Sequence, residues 1–273
     1  MTHSRPTINE LLAGSGLAPR RDLGQNFVAD PNTVRRIATL AEVGEGDRVV
    51  EIGAGLGSLT LALAETGADV LAVEVDRGIV PVLRDVVGDR ANVEVLEADA
   101  MAIDWRTILA ERAGDRSWTL VANLPYNVGT PLVCDLLDEV PEISRMIVMV
   151  QREVAQRFAA APGSKQYGAV SVKTAYWATA RLVATVPASV FVPKPNVESA
   201  LVRIDRHEPP DAPAEQLFAL VKKAFGQRRK MLRRSLNGVV AAEQFEVAGV
   251  SPEARPEQLA IDDWVRLTQA LAT

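Results

Sequence analysis

Four short stretches of the chain end apolar runs in residues that can hold a ligand or carry chemistry. In "VVEIGAGLGSLT", Gly53, Gly55 and Gly57 stand between a strand-like run and a helix-like one. Glycines let the backbone turn tightly and approach a ligand, and the helix that follows offers unpaired N–H groups. Glu74 lies 21 residues beyond Gly53, at the end of the next apolar run. A carboxylate there can accept hydrogen bonds from both hydroxyls of a ribose. Asp99, in "LEADAM", ends the third run and could accept from an adenine amino group. The fourth stretch, "TLVANLPYNVGTPLV", closes on Asn123-Leu124-Pro125-Tyr126: an amide, a rigid turn and an aromatic ring with no polar loop before them. Asn and Pro also punctuate ordinary turns, and each acid alone reads equally as a solvated strand end. Glycines, then Glu, then Asp on successive strand ends favour a nucleoside site. The dinucleotide fingerprint asks for glycine or alanine at position 58, and Ser58 there shifts the weight from NAD to another adenosine-containing ligand.

These residues need a scaffold that brings strand ends to one edge, and the chain supplies one. "DRVVEIG", "ADVLAVEVD", "ANVEVLEAD", "WTLVANL" and "RMIVMVQ" read as strands. They alternate with the helix-like "GSLTLALAETG", "RGIVPVLRDVVG", "WRTILAERAG" and "TPLVCDLLDEV". That alternation with continuous apolar strands predicts an α/β fold, a parallel sheet with helices on both faces. "AVSVKTAYWATARLVATV" and "SALVRID", with no long helix between them, are expected to form an antiparallel hairpin at its edge. "RHEPPDAPAEQ" reads as a linker, placing a catalytic domain at residues 1–207 and a helical domain at 208–273. Leu217, Val221, Ala224 and Phe225 fall on one helical face there.

Composition removes several classes of activity. A hydrophobic fraction of 48% and a charged fraction of 24% describe a soluble globular protein. No signal peptide or membrane span is expected, and the single Cys134 fits a reducing cytoplasm. Two histidines, His3 in an apparent tail and His207 near the linker, are too few for a metal cluster and poorly placed for acid–base work. The net charge of −5 argues against a nonspecific nucleic-acid coat. It leaves room for local basic clusters, and "QRRKMLRRSLNGVV" is one. On a helix, Arg229, Lys230, Arg233 and Arg234 would share one arc, opposite Leu232, Leu236 and Val239.

In this order, "EIGAGLGSLT", "VEVD", "EADA" and "NLPYN" resemble the Rossmann-like S-adenosylmethionine-dependent methyltransferases. More closely, "LGQNFVAD", "PGSKQYGAVSV", "FVPKPNVESALVRI" and "AFGQRRKMLRRSL" resemble the ribosomal RNA adenine N6-dimethyltransferases, in their bacterial small-subunit (16S) branch. The likeness runs from about residue 20 to 240. It implies a mostly parallel Rossmann-like sheet with an antiparallel edge, a cofactor-covering N-terminal segment and a small C-terminal helical domain. It implies S-adenosylmethionine without a metal, held by Asn26, Val28, Gly53, Gly55, Glu74, Asp99 and Asn123. The family often has His at the position of Asn26 and Leu at that of Val28. For the transfer itself it implies Asn123, Leu124, Pro125 and Tyr126, with Phe191 as a second ring on the other face of the target base.

The partner so implied is 16S ribosomal RNA within the small subunit or its precursor, contacted by Arg229, Lys230, Arg233 and Arg234. The enzyme is expected to be a cytoplasmic monomer with no membrane partner. Competing readings are a large-subunit (23S) methyltransferase conferring macrolide resistance, a non-catalytic assembly factor, and an NAD-dependent oxidoreductase. Intact Asn123, Tyr126, Glu74 and Asp99 argue against the second, Ser58 against the third.

Overall fold

The computed structural model describes residues 2–113 and 116–271. In chain order the elements are α1 (Arg5–Gly14), β1 (Phe27–Val28), α2 (Pro31–Ala41), β2 (Arg48–Ile52), α3 (Ser58–Ala64), β3 (Asp69–Glu74), α4 (Ile79–Val87) and β4 (Val93–Glu97). Then follow α5 (Trp105–Ala113), β5 (Trp118–Asn123), α6 (Gly129–Glu139), β6 (Ile143–Gln151), α7 (Arg152–Phe158), α8 (Ala169–Trp177), β7 (Ala178–Val186), β8 (Phe191–Val192) and β9 (Ser199–Arg206). The chain ends in α9 (Ala214–Phe225), α10 (Leu232–Ser235), α11 (Ala242–Ala248) and α12 (Ile261–Gln269).

Seven strands form one sheet in the order β4-β3-β2-β5-β6-β9-β7. The pairs among β4, β3, β2, β5 and β6 are parallel, and β9 joins β6 antiparallel. The chain moves outward from β2 in one direction, then returns to place β5 on its other side. That reversal opens a crevice at the carboxyl ends of β2 and β5. Val49, Val50, Leu120, Val121 and Ala122 have no exposed surface, as strands covered on both faces require. A separate two-stranded sheet pairs Phe27 with Val192 and Val28 with Phe191. No helix among the described residues is long and apolar enough to cross a membrane.

Two compact units are present, Met1–Ala155 with Leu182–Asp205, and Gln156–Arg181 with Arg206–Thr273. The expected boundary at 207/208 lies beside Arg206, but the second unit also takes Gln156–Arg181. Part of that segment shortens the expected edge hairpin, whose remaining strands β7 and β9 are hydrogen-bonded neighbours in the sheet. Residues 169–177 form helix α8 rather than strand, and β9 lies between β6 and β7. The β-branched and polar residues of α8 find helical partners. Gly168 N–H donates to Ser171 Oγ (3.1 Å), Ser171 Oγ to the Arg157 carbonyl (2.6 Å) and Thr174 Oγ1 to the Val170 carbonyl (2.8 Å). Val172 and Tyr176 join the second unit's core with Leu217, Leu232 and Trp264, so packing overrides strand propensity.

The basic stretch departs from expectation too. Residues 226–230 form a turn, Met231 is extended (ψ 151°), and only Leu232–Ser235 is helical. The Leu232 amide donates to the Ala254 carbonyl (2.8 Å) and the Arg233 amide to that of Pro252 (2.9 Å), replacing the ladder of a longer helix. Arg229, Lys230, Arg233 and Arg234 therefore share an exposed turn and short helix, not one helical arc. Leu232 and Leu236 are buried beneath them, while Val239 is exposed.

Candidate active site

A cavity of about 250 Å³ lies at the carboxyl edge of the first unit's sheet. Its wall includes the glycine loop, Glu74, Asp99, Asn26, Val28 and the Asn123–Tyr126 turn. At Gly55 φ is +57°, a conformation that residues with a side chain rarely adopt, and a Cβ would stand a tight 3.1 Å from the Phe27 ring. Its bare N–H donates to Glu74 Oε2 (2.8 Å). Glu74 Oε1 accepts from the Val75 and Asp76 amides (2.9 Å each). Three amides thus aim this carboxylate, which burial nevertheless holds above the usual glutamate range. Oε2 keeps a lone pair for a further donor, whereas Oε1 has spent both of its own on the two amides.

Asn123 ends β5 with its Nδ2 donating to the Asn26 carbonyl (2.9 Å). That bond commits the amide nitrogen and leaves Oδ1 as the free acceptor of the side chain. Leu124, its side chain buried, donates its N–H to the Met149 carbonyl (3.0 Å), which fixes the turn on β6. Pro125 directs its own carbonyl to the Val128 and Gly129 amides (3.2 and 3.0 Å). Tyr126 is partly exposed at the cavity, its hydroxyl 2.7 Å from Ser199 Oγ. Burial pushes its phenol above the ordinary value, so it stays protonated at neutral pH and is no general base.

Phe191 has a different place from the one expected. Its ring has no exposed surface and packs with Val28, Val186 and Leu201. It does not line the cavity and offers no face to a base. Pairing of β8 with β1 turns it inward.

Four cavity groups escaped the sequence reading. His3 is not in a tail: it is 6% exposed, its amide donates to Ser58 Oγ (2.9 Å) and its Nε2 meets the Leu56 carbonyl (2.8 Å). Burial lowers its pKa. Contacts across more than fifty positions leave no local signal. Glu51 is buried, receives the Thr60 hydroxyl (2.6 Å) and is pushed up to about 8 by desolvation. Its signal was present, an acid inside the apolar "VVEIG". Val75 and Met101 are each 43% exposed beside the cavity, an apolar pair suited to the flat faces of a base.

Charge separates the two units. The first carries sixteen Lys and Arg against twenty-six Asp and Glu, the second fourteen against nine. The overall −5 therefore conceals a basic second unit, whose exposed turn holds Arg229, Lys230, Arg233 and Arg234.

A parallel sheet that reverses beside a glycine loop, with an acid ending the next strand, is the Rossmann-like arrangement. The model of the ribosomal RNA adenine dimethylase family matches residues 16–273. A protein of Leifsonia xyli named ribosomal RNA small subunit methyltransferase A is 49% identical, covering 95% of this chain and 95% of its own. Its namesake in Cutibacterium acnes is 47% identical over 97% and 93%. Among solved structures, the 23S rRNA methyltransferase ErmE superposes with a TM-score of 0.71 at 25% identity, covering 90% of this chain and 100% of its own. A Plasmodium falciparum dimethyladenosine transferase gives 0.72 at 22%, over 87% and 94%. The chain belongs to the ribosomal RNA adenine dimethylase family. It is an S-adenosylmethionine-dependent methyltransferase acting on ribosomal RNA.

Proposed function

We propose that the enzyme methylates N6 of two adjacent adenosines near the 3′ end of 16S ribosomal RNA, twice each, within the small subunit or its precursor. The observation that carries the chemistry is the Asn123 clamp: Nδ2 is spent on the Asn26 carbonyl, and Oδ1 remains to accept from an amino group. The small-subunit assignment rests on relatives of that name at 47–49% identity, against 25% for the 23S enzyme.

The residues present fit the cofactor. The glycine at 55 leaves the cradle free of a side chain, and the aimed Glu74 carboxylate keeps a lone pair on Oε2 for a ribose hydroxyl. Glu74, Gly53, Gly55, Asp99, Asn26 and Val28 would hold it, with Asn123 at the reacting end. S-adenosylmethionine supplies a methyl already made electrophilic by its sulfonium, which calls for no metal.

The protein's task is to prepare the nitrogen. An adenine amino group is a weak nucleophile because its lone pair is delocalised into the ring. Asn123 Oδ1 and the Leu124 carbonyl accept its two hydrogens, hold it in line and favour its tetrahedral form. The same fixed dipoles stabilise the positive charge that develops on it. Tyr126 stacks on the base once it is drawn from the RNA. Water takes the proton, which becomes acidic once nitrogen has gained its methyl. The basic turn of the second unit binds phosphates. The enzyme is taken to act as a monomer, and a ribosomal substrate supports a cytoplasmic location.

Primer extension tests the assignment in a strain lacking the gene, with and without a plasmid copy. The copy should restore reverse-transcription stops in 16S RNA and none in 23S RNA. Restored stops in 23S RNA alone would transfer the enzyme to the large subunit.

A further inference from the structure

The segment "FVPKPNVESALV" was expected to reach the target base through Phe191, which is buried. Its contact with the site is instead Ser199. This residue opens β9 opposite Gln151 of β6, is fully buried, and places Oγ 2.7 Å from the Tyr126 hydroxyl. Tyr126 itself follows a turn fixed on β6 through the Leu124 amide. Both ends of the side chain are thereby tied to the same pair of strands, while its ring remains partly exposed at the cavity.

We propose that Ser199 is a positioning residue for methyl transfer, holding the Tyr126 ring at the angle that receives the target adenine. A tyrosine at a cavity mouth would otherwise sample several rotamers. A partner at the far hydroxyl fixes the side chain's direction. Because a phenol O–H lies preferentially in the plane of its ring, the partner also biases that plane. A stacking surface held ready in this way loses less freedom when the base arrives. The hydroxyl of Tyr126 thus acts on the base only through the ring it anchors. This inference rests on the proposed stacking of Tyr126.

Single-turnover methylation of 30S particles lacking these methyl groups tests it, with cofactor saturating and its affinity measured alongside. Losing one buried hydrogen bond should slow Ser199→Ala and Tyr126→Phe by a similar factor of about five. The double variant should be no slower than the slower single, because both changes remove the same bond. Affinities for cofactor and 30S should stay within about twofold, which separates an orienting role from general damage to the fold. Wild-type rates in Ser199→Ala, or slowing that multiplies in the double variant, would overturn the proposal. Tyr126→Ala reports on stacking separately, with an expected loss of about tenfold to a hundredfold. If Tyr126→Ala is slow while Ser199→Ala is not, stacking stands and the anchor falls. If Tyr126→Ala keeps the wild-type rate, stacking itself is wrong.

Discussion

Removal of the Glu74 carboxylate should act at two places that can be measured apart. In Glu74→Ala the Gly55, Val75 and Asp76 amides lose their acceptor inside a site where the side chain is only 6% exposed. Hydrogen bonds to a charged group are worth about 1.5–3 kcal/mol each, though bonds to one carboxylate do not add fully. A stability loss of about 2–4 kcal/mol follows, with loosening of the glycine loop. Ribose binding loses a charge-assisted hydrogen bond as well, about 1.5–3 kcal/mol, or roughly 10- to 150-fold in affinity. Glu74→Gln separates the effects. It keeps the shape and one acceptor oxygen, so the fold should suffer less, while the ribose still loses the charge. Calorimetric titration with S-adenosylmethionine, paired with thermal melting, reads both quantities. A folded Glu74→Gln protein that binds the cofactor with wild-type affinity would refute the assigned grip on the ribose.

Glu51 is held protonated to about 8 where an unfolded glutamate ionises near 4.5, so its contribution is complete below pH 4.5 and is lost as pH rises through 8. Glu51→Gln, which still accepts from Thr60, should therefore raise the melting temperature more at pH 8 than at pH 5; equal shifts would show Glu51 ionised throughout. Gly57→Ala sets a Cβ 2.9 Å from Leu83 Cδ1 at a φ of +82°, and should cost about 1–3 kcal/mol in chemical denaturation. Replacing Arg229, Lys230, Arg233 and Arg234 by Ala should weaken 30S binding and flatten its salt dependence by up to about 3 in log–log slope, with cofactor affinity unchanged. An unaltered slope would return this turn to a solvated surface.

The carboxyl-edge half of the site was legible because a parallel sheet brings strand ends together whatever the loops do. Gly53, Glu74, Asp99 and Asn123 each end or follow an apolar run, and the cavity borders all four. What stayed hidden depends on distant contacts. His3 reaches Leu56 across 53 positions, and Ser199 reaches Tyr126 across 73. Phe191 lies in a two-residue strand, too short for a periodicity to tell inward from outward. The basic stretch has an amphipathic pattern that a helix would satisfy, yet the carbonyls of Pro252 and Ala254 take its amides and break it at Met231. In 169–177, Val170, Val172 and Thr174 suggested a strand, and only packing among Tyr176, Leu217 and Leu220 selects a helix.

The central claim is that Asn123 and its neighbours present an adenine amino group of 16S RNA for methylation. Mass spectrometry of ribosomal RNA after incubating the protein and S-adenosylmethionine with 30S particles from a strain lacking the activity tests it most directly. Wild-type protein should produce two adjacent N6,N6-dimethyladenosines near the 3′ end of 16S RNA. Asn123→Ala should bind the particles and yield neither. Methylation at any other nucleotide, or an undiminished yield from the Asn123 variant, would contradict the account.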